Sequence, residues 1–277
     1  MTIRVCSFES RRGEEMRSLI ERAGGTATIA PSMKEVPLAD NAPVFGFLQR
    51  LLAREIDTLI FLTGVGARAL LEAAATRVPQ AETVAAINAG RIIVRGPKPV
   101  PVLKEAGIRI DIRAPEPNTW REILAAIDGA GIDLSGQRIA VQEYGAPNRE
   151  LEAALCERGA TVETVSVYRW SLPDDVGPLQ RAIEQTIAGE FDGLLFTSAQ
   201  QAHHILKVAD QMGCRAEWLA AANRCVLGSI GPTATETLVQ VGLQPDLEPE
   251  HGKMGHLVKH FFEAGPASPK WPARQPA

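Results

Sequence analysis

Cysteine is scarce and scattered: Cys6, Cys156, Cys214 and Cys225 include no CxxC. Their spacing encodes neither a disulfide framework nor a thiolate metal site, and they read as small core or surface residues. No apolar run approaches the roughly 18 residues that span a bilayer. Met1 runs straight into the strand-like TIRVCSF with no secretory pattern, so the expectation is a cytoplasmic protein without membrane contact. A basic excess is missing as well. The net charge is -4, whereas counterion release on phosphates needs a basic face, so nucleic acid is not expected as a partner. HExxH does not occur. His203 and His204 are adjacent, so on a helix their side chains point about 100 degrees apart. His256 and His260 have no glutamate or cysteine placed to join them, and no metal site is expected. A GxSxG nucleophile elbow is also absent, since Ser229 in GSIG departs from that spacing.

What is present is a duplication. The segment DTLIFLTGVGARALLEA from Asp57 returns as DGLLFTSAQQAHHILKV from Asp192, and RGPKPVPVLKEAGI from Arg95 returns as IGPTATETLVQVGL from Ile230. VCSFESRRGEEMRSLIERAG from Val5 and VQEYGAPNRELEAALCERGA from Val141 form a third pair. The offset of about 135 residues is far beyond the 20 to 50 of solenoid repeats, so the copies are domains. At 277 residues, 45% hydrophobic and 22% charged, the chain is long enough for two modest cores. Two similar halves imply a cleft between them that holds a small molecule.

Each copy opens with a short apolar strand, passes through small residues and continues at helical spacing. TLIFL from Thr58 leads to Thr63-Gly64-Val65-Gly66 and then to Ala69, Leu70, Leu71 and Ala74. Leu194 to Phe196 leads to Thr197-Ser198, with Ser198 where a cap belongs. Pro97 and Pro232 are placed near the first helical turns that follow Gly96 and Gly231. Leu103 with Val102, and Leu238 with Val239, make one face of helices that end at Gly107 and Gly242. Alternating strand and helix means an α/β fold: two similar doubly wound parallel-sheet domains with helices on both faces.

Ligands of such sheets bind outside the carboxyl ends of the strands, which turns the fold into a list of residues. Thr63, Gly64, Val65, Gly96, Pro97 and Lys98 come from one half, and Ser198, Ala199, Gln200, Gly231, Pro232 and Thr233 from the other. The same residues are also what any α/β turn or cap requires. Arg11 and Arg12 follow the first strand, and Arg149 follows the turn Tyr144-Gly145-Ala146-Pro147-Asn148. With Lys98 these cations suit carboxylates, or a solvated surface equally. Gly64-Val65-Gly66-Ala67-Arg68-Ala69 fits the permissive GxGxx[GA] pattern, but Arg95 stands near where an acidic ribose ligand is required, and the second copy lacks the glycine pair. Thr28 to Leu38 and Val165 to Pro173 are extended and proline-punctuated connectors. Tyr168, in the second connector, either packs or offers its hydroxyl to a ligand. Residues 265–277, rich in proline and alanine, read as a disordered tail.

Taken in order over about residues 3 to 262, these blocks resemble the uroporphyrinogen-III synthase family, most of all in VYRW and SIGPTA. The resemblance implies two doubly wound domains joined by a two-stranded linker, the chain crossing over so that 1–35 and 172–265 form one domain and 36–167 the other, with 266–277 as the tail. A simple split near residue 135 fits the repeat equally well. It implies a cofactor-independent hydro-lyase of tetrapyrrole biosynthesis that closes hydroxymethylbilane to uroporphyrinogen III, with loss of water and inversion of ring D. Tyr168 then assists the departing hydroxyl, and backbone amides at the Thr63, Gly96, Ser198 and Gly231 turns, with Arg12, Lys98, Tyr144, Gly145, Asn148 and Arg149 nearby, hold substrate carboxylates. The protein is expected to act as a monomer, with room for a transient contact with hydroxymethylbilane synthase. Thr63-Gly64 and Ser198-Ala199 depart from the Ser-Pro turn common in the family. The competing reading is an inactive synthase-like binding or regulatory protein.

Overall fold

The computed structural model describes residues 2–37, 42–143, 145 and 147–271. Tyr144 of the expected site and residues 272–277 of the expected tail lie outside them. In chain order the elements begin β1 (Ile3–Ser7), α1 (Gly13–Arg22), β2 (Gly25–Ile29) and β3 (Lys34–Pro37). They continue α2 (Ala42–Leu52), β4 (Thr58–Phe61), α3 (Gly64–Ala75), α4 (Gln80–Ile87), β5 (Arg91–Val94), α5 (Val100–Glu105) and β6 (Ile112–Arg113). Next come α6 (Trp120–Gly129), β7 (Arg138–Gln142), α7 (Arg149–Glu157), β8 (Thr161–Val165) and β9 (Tyr168–Ser171). The last are α8 (Gly177–Ile187), β10 (Gly193–Phe196), α9 (Ala199–Gln211), α10 (Arg215–Ala222), β11 (Val226–Ser229), α11 (Pro232–Gln240) and α12 (Met254–Ala264). No helix of the described residues is long and apolar enough to cross a membrane.

The chain divides into two compact units, one of Met1–Lys34 with Ser171–Ala277 and one of Glu35–Trp170. The first carries a sheet in the order β11-β10-β1-β2 and the second one in the order β6-β5-β4-β7-β8, while β3 and β9, where the chain passes between units, pair as a two-stranded sheet. The strand pairs of both larger sheets are parallel. β4, β10 and β11 are buried at every position, the continuous apolar run of a strand covered on both faces. In the second unit Leu59 and Phe61 pack with α2, α3 and α4, and Ile60 and Leu62 with α6 and α7 on the other face. In the first unit Leu194 and Phe196 pack with α8 to α10, and Leu195 and Val226 with α1 and α12.

The amino ends of both sheets are closed by the same side-chain bonds. Asp57 accepts the Arg138 N–H at 2.8 Å and its guanidinium at 3.1 Å; Asp192 does the same for Arg4 at 2.8 and 2.9 Å. Asn88 bridges Arg109 N–H and the Gly107 carbonyl, as Asn223 bridges Gln244 N–H and the Gly242 carbonyl. Asp111 caps the Ile92 N–H and Asp246 the Leu227 N–H. A shallow hollow of about 540 Å³ opens here in the second unit, lined by Asp57, Arg91, Arg109, Asp111 and Gln137 among others. Its arginines are bonded within the fold, Arg91 to Thr58 and Gln137 and Arg109 to Asp111. It lies at the end of the sheet opposite to the one where parallel α/β sheets bind ligands.

Three expectations need correcting. The tail does not begin at residue 265: Gly265–Ala267 forms a 3₁₀ turn, Trp271 lies 5.4 Å from the Phe261 ring and 6.2 Å from Phe262, and Lys270 pairs with Asp246 at 2.8 Å. Partial burial of one indole against Phe261 and Phe262 outweighs the low order expected of a proline-rich composition. Pro97 precedes its helix, because α5 starts only at Val100 after the cap Pro99, whereas Pro232 opens α11. Val239 is 59% exposed, turned about 100 degrees away from the buried Leu238 beside it.

Candidate functional site

In each sheet the strand order reverses at one place, between β4 and β7 in the second unit and between β10 and β1 in the first. The successive connections leave such a switch point in opposite directions, and ligands bind at its carboxyl end. Thr63, Gln142 and Glu143 stand there in the second unit, and Thr197, Ser198 and Glu9 in the first.

Both crevices are filled from within by a glutamine amide. Gln142 is fully buried, accepts the Thr63 N–H at 3.3 Å and donates to the Glu143 carbonyl. Gly66 makes room for it: a Cβ there would stand 1.8 Å from Gln142 Nε2. Gly64 lies on the Lys98 carbonyl, which a Cβ would meet at 2.4 Å. The glycines of the GxGxx[GA] pattern are thus accounted for by packing against the protein's own atoms. In the first unit the amide belongs to Gln201, at the position matching Gly66. It accepts from the Thr197 and Ser198 N–H groups at 2.7 and 3.2 Å and donates to the Phe8 carbonyl at 3.0 Å.

This changes how the expected residues can act. The amides of Thr63 and Ser198 are already bonded to these glutamines, and Thr63 Oγ1 caps α3 by accepting the Gly66 N–H at 3.0 Å. Gly64 and Val65 carry the first amides of α3, which have no partner within the helix itself. Gly96 is buried, with Asn118 filling the space where its side chain would be. Gly231 caps α11, Pro232 begins it and Thr233 is exposed. Asn148 caps α7 by accepting the Leu151 N–H at 3.1 Å. Arg149, Lys98 and Arg12 are exposed beyond the strand ends, and Arg12 bonds Glu15 on its own helix at 2.6 Å. Ala199 and Gln200 are half-buried in the first turn of α9.

Tyr168 is only 4% exposed. Its hydroxyl reaches the β4 rim, 3.5 Å from Thr63 Oγ1, and its ring meets Trp170 edge-on at 5.4 Å. The ring packs, as one of the two alternatives has it, while the phenol oxygen stands at the rim.

Sequence reasoning missed two buried glutamates. Val5 faces Gly193 and Ile139 faces Thr58, so Glu9 and Glu143, each four residues further on, are counterparts. Aligning Val5 with Val141 by residue type sets Glu9 opposite Gly145 and hides the match. Glu9 accepts the Arg11 and Arg12 N–H groups at 2.9 and 3.0 Å and the Thr197 hydroxyl. Glu143 accepts the Ser166 hydroxyl. Glu152 beside it is held above the ordinary carboxylate range by burial and then by the Glu143 charge. His204 is buried with Nδ1 2.8 Å from the Ser32 carbonyl. A carbonyl only accepts, so Nδ1 carries the proton. Burial keeps the imidazole neutral to lower pH than usual against that bond's opposite pull.

Burial alone would raise the pKa of Glu9, but the hydrogen bonds from Thr197, Arg11 and Arg12 and the Arg11 charge outweigh it, and it falls below its ordinary 4.5. A depressed carboxyl contributes stability above its unfolded pKa and loses it as pH falls through the folded value. Native protein is therefore expected to exceed Glu9→Gln in urea resistance at neutral pH, the gap narrowing below about pH 4.5. A gap that stays constant into acid would refute the assignment.

The model of the family described as HEM4, uroporphyrinogen-III synthase HemD, matches residues 14–259. A crystal structure of a mutant uroporphyrinogen III synthase from the extremely thermophilic bacterium Thermus thermophilus is similar with a TM-score of 0.72 at 26% identity, over 96% of this chain and 100% of that one. A putative uroporphyrinogen-III synthase of Methanothermobacter thermautotrophicus is 29% identical, with 84% of this chain and 87% of that protein covered. The uncharacterized protein YjjA of Bacillus subtilis is 28% identical, with 92% and 93% covered.

Proposed function

The chain belongs to the uroporphyrinogen-III synthase family, and we propose from that premise that it closes hydroxymethylbilane to uroporphyrinogen III, with loss of water and inversion of ring D. One observation carries the reading: the family match runs from residue 14 to residue 259, through both units, and so exceeds what one shared α/β half would give.

The chemistry asks little covalent work of a protein. The pyrrole nitrogen lone pair expels the hydroxymethyl oxygen as water once that oxygen is protonated, leaving an azafulvene cation that the other terminal ring attacks. Proximity and orientation contribute about 7 to 11 kcal/mol to such closures, and a positioned acid typically about 10² to 10⁴-fold. Tyr168 is the acid of this reading, supported by its hydroxyl at the Thr63 rim. Arg12, Lys98 and Arg149 suit the acetate and propionate side chains by charge. Around them, Thr63, Gly64, Val65, Gly96, Pro97, Gly145, Asn148, Ser198, Ala199, Gln200, Gly231, Pro232 and Thr233 shape the two rims. No step calls for electron transfer or an electrophile beyond a proton, so the reading assigns a hydro-lyase without a cofactor. It assigns a monomer working in the cytoplasm, supplied with its linear substrate by hydroxymethylbilane synthase.

Purified protein incubated with freshly generated hydroxymethylbilane is expected to give the type III isomer, separated chromatographically from type I. Type I alone, the spontaneous product, would refute the activity.

A further inference from the structure

The loop that leaves β7 grips the segment carrying Tyr168 from two directions. On one side the Glu143 N–H donates to the Val165 carbonyl at 3.1 Å, and the Ser166 hydroxyl donates to the Glu143 carboxylate, which is 5% exposed. On the other, Gly145 lies flat on the aromatic pair. Its φ of +83° belongs to the left-handed region, and a Cβ would stand 2.8 Å from both Trp170 Cδ1 and Tyr168 Cε2. Only glycine meets both conditions without strain. The counterpart carboxylate in the first unit does something else: Glu9 ties its own loop to Thr197. The segment before β3 is held there by Ser10 instead, whose hydroxyl oxygen accepts the Ser32 and Met33 N–H groups at 3.1 Å, so the carboxylate brace belongs to the unit that holds the phenol.

We infer that Glu143 and Gly145 are positioning residues for Tyr168, holding its hydroxyl at the Thr63 rim. The inference rests on the reading of Tyr168 as the acid. Tyr168 stands two residues beyond Ser166, with its hydroxyl 3.5 Å from Thr63 Oγ1. Its place depends on where the backbone of 165–168 is pinned, and Glu143 pins it at Val165 and Ser166. A misplacement of about 1 Å in a reacting group costs about 10²-fold in rate.

A double-mutant cycle in the full chain tests this. Glu143→Ala is expected to lower kcat for type III formation by about ten- to a hundredfold with KM nearly unchanged. Glu143→Gln keeps an oxygen that accepts from Ser166 and is expected to restore most of the rate. Added to Tyr168→Phe, Glu143→Ala is expected to cost nothing further, because both act on one group. Equal losses in the native and Tyr168→Phe backgrounds would overturn the inference while leaving the Tyr168 assignment intact. A Tyr168→Phe single variant at the native rate would remove the premise itself, and that result is read from one variant alone. Should Glu143→Ala not fold, Ser166→Ala removes the same bond from its other end and must show the same dependence on Tyr168. Additive losses there would overturn the inference equally.

Discussion

A Tyr168→Phe protein is expected to fold like the native chain and to form the type III isomer about 10² to 10⁴-fold more slowly, the range a positioned general acid contributes. The fold is expected to survive because phenylalanine retains what the ring does: it still meets Trp170 edge-on and still lies under Gly145. What disappears is one hydroxyl, 3.5 Å from Thr63 Oγ1, a distance at which a hydrogen bond is weak. A rate loss with an unchanged unfolding midpoint therefore belongs to the reaction. Spontaneous closure continues without the acid, so the product mixture should move toward type I. Native rate together with native isomer ratio would end the acid assignment and leave the binding rims standing.

Phe261→Ala is expected to remove about 3 to 5 kcal/mol from the first unit, the cost of emptying a buried aromatic position. Phe261 is fully buried and lies across β10 and β11. Glycines flatten the sheet beneath it, since a Cβ at Gly193 would stand 2.2 Å from its Cζ and one at Gly228 3.6 Å from its Cδ2. Gly193 and Gly228 themselves have no side chain to fill the space. Trp271 rests on the same ring, so its packing loosens as well. Urea unfolding should show a lower midpoint at an unchanged slope for the transition that includes this unit. A loss below about 1 kcal/mol would mean that the site collapses onto itself.

The scaffold is legible in the sequence where the physics is local. TLIFL before Thr63, and LLF before Thr197-Ser198, have the apolar runs and small-residue turns that a buried parallel strand feeding a helix needs. Gly107 and Gly242 end their helices at φ of +77° and +93°, which few other residues adopt. The rim is less legible because its partners are distant in sequence. Nothing near Gly66 announces that Gln142 will fill the space above it, and the glycine pair instead suggests a phosphate loop. Glu9 and Glu143 look like ordinary polar loop residues until the registers of the two sheets show that they occupy corresponding positions. Trp271 sits in a stretch whose composition signals disorder, and only Phe261 and Phe262, on a helix several residues earlier, explain why it is held.

The matched bonds at the strand starts, Asp57 with Arg138 and Asp192 with Arg4, Asn88 and Asn223, Asp111 and Asp246, contrast with the unlike glutamines and glutamates at the strand tips. Gene duplication kept the foundations and let the tips drift apart. The linear tetrapyrrole has four rings bearing the same two kinds of acid chain, with a hydroxymethyl group at one end only. Identical tips would present one set of groups twice; the diverged tips present two different sets.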